Sequence, residues 1–97
     1  MPEVTLHEDA DEEFKAAIRF YETRHPGLGE IFLQRISESF ASIETQPLAG
    51  QILFHNFRRR LIRQFPYSIV YRVEAERIFI LAIAHWKRRP GYWKSRT

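Results

Sequence analysis

Apolar residues first recur at helical spacing. Phe14, Ala17, Ile18 and Tyr21 stand at i, i+3, i+4 and i+7, which is one face of a helix. Asp9 is placed to cap that helix, with Glu12 three residues on to reach back. Asp9, Asp11, Glu12 and Glu13 crowd the first turn, where the helix dipole favours negative charge. The helix should stop before Pro26-Gly27. A second stripe comes at once: Leu28, Phe32, Ile36, Phe40 and Ile43, flanked by Ile31 and Leu33, ending before Pro47. Two helices joined by Pro-Gly predict an antiparallel helical hairpin. Ahead of them, Glu3 to His7 alternates weakly and reads as a short strand.

The pattern changes after a loop running from Pro47 to about His55. Phe57–Arg63, Tyr67–Val73 and Arg77–Ala84 are rich in β-branched, aromatic and arginine residues and read as three strands. Pro66 sits at the start of the middle strand, where proline is tolerated. Ile78 to Ala84 is apolar at both odd and even positions, as expected of a central strand covered on both faces. The order β-α-α-β-β-β predicts an α+β domain spanning residues 1–97. Its two-helix hairpin should pack on one face of an antiparallel sheet. The other face is left to Arg, His and aromatic side chains.

Composition narrows the function classes. In 97 residues there is no cysteine, so disulfides, thiolate metal sites and cysteine nucleophiles are excluded. A cysteine-free chain fits a reducing cytoplasm. Met1 to Leu6 has neither a basic start nor an apolar stretch of signal-peptide length. No run approaches the roughly 18 apolar residues of a membrane span. His7, His25 and His55 are scattered without metal-ligand spacing. There is no glycine-rich phosphate loop, no nucleophile elbow and no H-E-x-x-H motif. No metal or cofactor is expected.

Charge changes the picture more. Net charge is only +3. Yet residues 1–50 carry ten acidic and four basic side chains, net −6, and residues 51–97 carry eleven basic and two acidic, net +9. Such asymmetry points to an acidic or polyanionic partner. Part of it can also be neutralised inside one fold. Arg58, Arg59, Arg60 and Arg63 form the first basic group. On a strand, Arg59, Leu61 and Arg63 share one face and Arg58, Arg60 and Ile62 the other. Exposed guanidinium groups grip carboxylates and phosphates in bidentate fashion. The same charges also protect an edge strand from aggregation. The second group is His85, Lys87, Arg88, Arg89 and Tyr92, with Trp86 and Trp93 nearby. A histidine can exchange a proton, an arginine can stabilise a charged transition state and a tyrosine can stack or act as an acid. The bland reading is a solvated tail whose tryptophans pack back on the sheet. Phe65, Tyr67 and Tyr71 form a third group, read as core.

These segments together resemble RelE/ParE toxins. The resemblance is carried by Phe57-Arg58-Arg59-Arg60-Leu61-Ile62, Phe65-Pro66-Tyr67-Ser68-Ile69-Val70-Tyr71-Arg72-Val73, Ile80-Leu81-Ala82-Ile83-Ala84-His85 and Arg89-Pro90-Gly91-Tyr92-Trp93. Arg24-His25-Pro26-Gly27-Leu28-Gly29 and Pro47-Leu48-Ala49-Gly50 are similar to the same family. The resemblance implies the toxin of a bacterial type II toxin–antitoxin module. Such toxins are cytoplasmic and held inactive by a cognate antitoxin, through which they reach operator DNA. ParE-like members inhibit DNA gyrase; RelE-like members cut mRNA on the ribosome without metal. As a nuclease, the chain would use His85, Arg88 and Tyr92, with Arg59 among its phosphate-binding cations. Ser68 stands where the nucleases carry an arginine, and no glutamate lies nearby in sequence to act as base: Glu74 and Glu76 are at the far end of the last strand. Phe-Pro-Tyr-Ser with a terminal Ala-His and Pro-Gly-Tyr-Trp looks closer to the ParE branch. The surface expected to hold the antitoxin or target then comprises Arg58, Arg59, Arg60, Arg63, Lys87, Arg89 and Trp93.

Overall fold

The computed structural model describes residues 3–96, so residues 1, 2 and 97 of the expected 1–97 domain lie outside it. A short strand, β1 (Glu3–Leu6), leads into α1 (Glu8–Arg24) and α2 (Leu28–Thr45). A single 3-10 turn (Pro47–Ala49) precedes β2 (Gln51–Phe54), β3 (Phe57–Leu61), β4 (Tyr67–Val73) and β5 (Arg77–His85). The strands lie in the order β1-β5-β4-β3-β2. Two helices over a sheet is the α+β arrangement expected. The sheet, however, is mixed: β2 to β5 are antiparallel neighbours, but β1 runs parallel to β5, Val4 opposite Ile78. The whole helical hairpin intervenes between β1 and the rest of the sheet, so no tight turn forces β1 antiparallel.

The start of α1 also differs from expectation. Asp9 lies inside the helix and His7 is the N-cap, its Nδ1 accepting the Asp9 amide at 3.0 Å. The acidic first turn, Glu8, Asp9 and Asp11, remains where the dipole favours it. α1 ends at His25, whose extended backbone suits a residue before proline. Gly27 then adopts φ +92°, a left-handed conformation that glycine tolerates and side-chain-bearing residues resist. Glu22 seals the junction. Its carboxylate accepts the amides of Gly27 (3.0 and 3.1 Å) and Gly29 (3.0 Å), capping α2 from α1.

The helices bury their predicted stripes on one sheet face. Phe32, Ile36 and Ile43 of α2 and Ala17 of α1 join Ile62, Phe65, Ile69, Tyr71, Ile78, Ile80 and Ile83 in the main core. Aromatic edges knit it: Phe32 meets Phe65 at 5.0 Å and Tyr67 at 5.3 Å, both edge-to-face. The buried Tyr71 hydroxyl donates to the Pro47 carbonyl at 2.6 Å, pinning the loop after α2. A Cβ at Gly50 would overlap that hydroxyl, so the loop can pass this close only as glycine.

A β-bulge in β5 divides its side chains between the two faces. Val70 opposes Ala82 and Tyr71 opposes Ile80, leaving Leu81 without a partner on β4. Even positions Ile78 and Ile80 face the helices before it, and odd Ile83 after it. Leu81 and Ala82 therefore both face away from the helices. With Val70, Phe79, Ala84 and Trp93 they form a second core on the opposite face. That face is thus apolar under a covering segment, as the doubly apolar run Ile78 to Ala84 implied, with arginine, histidine and aromatic side chains around it.

Candidate functional site

The segment after β5 builds the functional face. It turns back beneath the sheet and inserts Trp93, only 5% exposed, edge-on to Phe57 at 5.1 Å. Glu13 of α1 fastens it. β1 stops at Leu6, so beyond Ile80 the outer edge of β5 has no strand beside it. Glu13 and Arg96 take the strand's place. Glu13 Oε1 accepts the Ile83 amide at 2.9 Å, and Arg96 Nη1 donates to the Leu81 carbonyl at 2.9 Å. The two side chains form a bidentate ion pair, both contacts 2.9 Å, and Glu13 Oε2 accepts the Tyr92 hydroxyl at 2.7 Å. Both are largely shielded from solvent, with 16% and 12% of the side chain exposed. The bulge matters here, because after it the odd residues turn their polar backbone groups to this edge.

Sequence reasoning missed Glu13. It looked like one more acid in a helix N-terminal turn. Its signal lies in pairing across the fold, 70 residues from Ile83 and 83 from Arg96, which one-dimensional spacing does not carry.

A cleft of about 340 Å³ opens beside the docked tail. Leu53 and Phe54 of β2, Ser68 and Val70 of β4 and Ala84 of β5 contribute to its walls. Ser68, 5% exposed, is the one buried polar residue among those described. Four cations border the cleft: Arg59, Arg88, Arg89 and Lys94, with no carboxylate among the lining residues. Two are laid over aromatic rings, Arg88 3.9 Å from the centroid of Tyr92 and Lys94 4.3 Å from that of Phe54.

The predicted basic strip is divided. Arg59 pairs with Val70 and lines the cleft, its Nε donating to Gln51 Oε1 at 2.8 Å. Arg58 and Arg60 turn to the helix side. Arg58 donates to the carbonyls of Leu48 and Gly50, both at 3.0 Å, and Arg60 to the Ser42 hydroxyl. These two arginines tie α2 and its loop to the sheet. Arg63 does not share the face of Arg59, because β3 ends at Leu61 and the chain turns through Gln64 at φ +74°. It pairs instead with Glu38 on α2 at 3.3 Å. Lys87 and Arg89 are exposed in the turn after β5. Trp93 is core rather than surface, whereas Trp86 is 58% exposed.

The three residues of the nuclease pattern are near one another but engaged. His85 sits at the end of β5 with its ring edge-on to Tyr67 at 5.0 Å, and it borders both the cleft and a second hollow beside α1. Its Nδ1 accepts the Lys87 amide at 3.0 Å, which places the proton of the neutral ring on Nε2. Arg88 is half-exposed, 3.9 Å from Glu13 Oε2. Burial, then the hydrogen bond to Glu13, pushes the Tyr92 hydroxyl well above the usual phenol range. Glu13 is thus the glutamate the sequence did not offer near this cluster, and its four hydrogen bonds are spent on the Ile83 amide of β5 and on Tyr92 and Arg96 of the tail. Among the described residues no group of three or more His, Cys, Asp or Glu could share a metal ion.

No curated protein matches the sequence. A solved chain described as the chromosomal ParDE TA system from P. aeruginosa is similar over 88% of this chain and 96% of its own, with 20% identity and a TM-score of 0.76. The YoeB dimer from Staphylococcus aureus is similar over 86% and 94%, with 19% identity and a TM-score of 0.61. At these identities the likeness is one of fold. A family model described as the ParE toxin of type II toxin-antitoxin system, parDE, matches residues 4–90, most of the sequence. With the mixed sheet under a helical hairpin and the basic cleft beside the tail, this chain belongs to the ParE toxin family of type II toxin–antitoxin systems.

Proposed function

We propose that this toxin arrests growth by binding an essential protein, DNA gyrase, and not by cutting RNA. A cognate antitoxin with an acidic segment neutralises it, and operator DNA is reached only through that antitoxin. The observation carrying this reading is the state of Glu13 and Tyr92. RNA cleavage through the 2′-hydroxyl needs a base with a free lone pair and an acid with a transferable proton. Here the nearest carboxylate accepts four hydrogen bonds from Ile83, Tyr92 and Arg96, and the phenol is held protonated against it. Ser68 puts a neutral hydroxyl on the strand where a nuclease would want a cation. Three cations at the cleft, Arg59, Arg89 and Lys94, have no carboxylate partner among the described residues and are suited to gripping one.

The test uses the purified chain in two assays. Inhibition of gyrase supercoiling with intact ribosome-bound mRNA is the expected result; mRNA cleavage without effect on gyrase would sink the proposal. The second reading, a ribosome-dependent nuclease, draws on His85 and Arg88 standing together at one cleft mouth. It requires that His85→Ala with Arg88→Ala abolish growth arrest while the chain stays folded.

A further inference from the structure

The cleft beside the tail has a chemistry that narrows its ligand. We propose that it receives a carboxylate side chain of a partner protein, with a neighbouring apolar side chain resting against Trp86. This deepens the protein-binding reading and rests on it.

Three observations converge. First, the charge is one-sided: Arg59, Arg88, Arg89 and Lys94 border the space and no acid lines it, Arg88 alone having a carboxylate, Glu13, behind it at 3.9 Å. An oxyanion is the complement. Second, the cations are pre-positioned. Rings beneath Arg88 and Lys94 hold their heads at 3.9 and 4.3 Å, so less side-chain freedom is lost on binding than with free surface lysines. Third, the aromatic surface is ill suited to a run of bases. Single-stranded RNA binds on successive open ring faces. Here the Tyr92 face lies under Arg88, the Phe54 face under Lys94, and Trp93 is buried. Trp86 alone offers an open indole. One open ring beside one cationic pocket fits two neighbouring side chains of a polypeptide, an acid and an apolar residue. The walls of Leu53, Val70 and Ala84 exclude water from one side of the carboxylate and strengthen each charge contact. Ser68 adds a neutral hydrogen-bonding group to the lining.

Both tryptophans of the chain line this cleft, so intrinsic fluorescence reports its occupancy. The experiment titrates the full chain with a capped peptide alternating glutamate and leucine, its glutamine-for-glutamate twin, and a short oligouridine. The glutamate peptide should shift the emission saturably, and the glutamine twin should not. Arg59→Gln and, separately, Lys94→Gln should each weaken the response about tenfold, the equivalent of one charge-assisted hydrogen bond. Lys94 is at the rim and holds nothing but the Phe54 ring, so its variant keeps the test valid even if Arg59→Gln unfolds. Equal response to both peptides, tighter binding of oligouridine, or no response would each overturn the assignment. Gyrase inhibition that persists when no peptide binds removes the cleft assignment alone; mRNA cleavage removes the protein-binding reading itself.

Discussion

The sheet's two faces bury the same kinds of side chain but are sealed differently. On the helix side, two helices of 17 and 18 residues lay continuous stripes over Ile69, Tyr71, Ile78 and Ile80. Much of the local order there is intrinsic: helical periodicity, caps and a tight Pro-Gly junction. On the tail side, Trp93 and a small cluster of ion pairs centred on Glu13 and Arg96 close the cover. The segment carrying Trp93 and Arg96 has turns but no helix or strand, and beyond the Trp86 amide, which donates to the Pro66 carbonyl at 2.9 Å, it is held to the fold mainly by side chains. One face is therefore built to fold; the other is fastened once the first exists. The fastened face carries the cleft and its bordering cations, as expected where binding surfaces draw on the less stable parts of a fold.

A pair of substitutions puts that difference to its hardest test. Phe32→Ala removes a fully buried ring from the aromatic cluster and should cost about 3–5 kcal/mol in urea denaturation, lost cooperatively across the whole chain. Trp93→Ala removes a comparable volume from the other face. Its loss should fall at the lower end, about 3 kcal/mol, with helix and sheet circular dichroism retained. Amide exchange should then accelerate in residues 85–96 and in Ile83, while Phe32 and Ile36 stay protected. If Trp93→Ala unfolds the helices as well, the two faces are one cooperative unit.

Glu13→Gln sharpens the same contrast with a smaller effect. It keeps the shape but leaves Arg96 without its bidentate partner at 12% exposure. Loss of the charge-assisted bonds should cost about 2–3 kcal/mol. The damage should appear as tail exchange and altered Trp93 emission, with the helix-side core unaffected. Glu12→Gln, one residue away and exposed, should change neither readout. Equal sensitivity at the two positions would show that helix charge, and not the latch, is at work.

The same asymmetry explains what the sequence disclosed. The helix side was legible because periodicity is local: Phe14, Ala17, Ile18, Tyr21 and the Phe32–Ile36–Ile43 stripe sit in or against the main core. Ile78 to Ala84 was legible as doubly covered, though not the bulge at Leu81 that divides its residues between faces. β2 was hidden inside an expected loop. It is only four residues long, all exposed, and its hairpin turn uses His55 at φ +49° where glycine is the usual signal. The cap moved from Asp9 to His7 because an imidazole nitrogen can accept an amide as a carboxylate does. At the site, the clustering of Arg59, His85, Arg88 and Tyr92 near one cleft came from strand order. Their partners did not, because Glu13 meets Tyr92 and Arg96 only when the tail is folded beneath the sheet.

Alkaline titration offers the gentlest probe, with no effect at neutral pH. All four tyrosines are pushed above the ordinary phenol value of 10, burial being the largest cause in each. Tyr67, against Tyr21 on the helix side, rises to about 12. Tyr92, on the tail side, is raised further by donating to Glu13. Each folded value exceeds the unfolded one, so the fold favours the protonated phenol. That contribution is complete below pH about 10 and is lost as pH rises through the folded values. Tyrosinate absorbance of the native chain at pH 10 should therefore lie below that of the urea-unfolded chain, which is about half ionised there. In Glu13→Gln the carboxylate no longer opposes ionisation of Tyr92, which should ionise earlier, with a smaller change at Tyr67, while Tyr21 and Tyr71 hold. Ionisation of Tyr92 near pH 10 in the unmutated chain, identified by its loss in Tyr92→Phe, would mean that the tail is already loose, and with it the wall of the cleft.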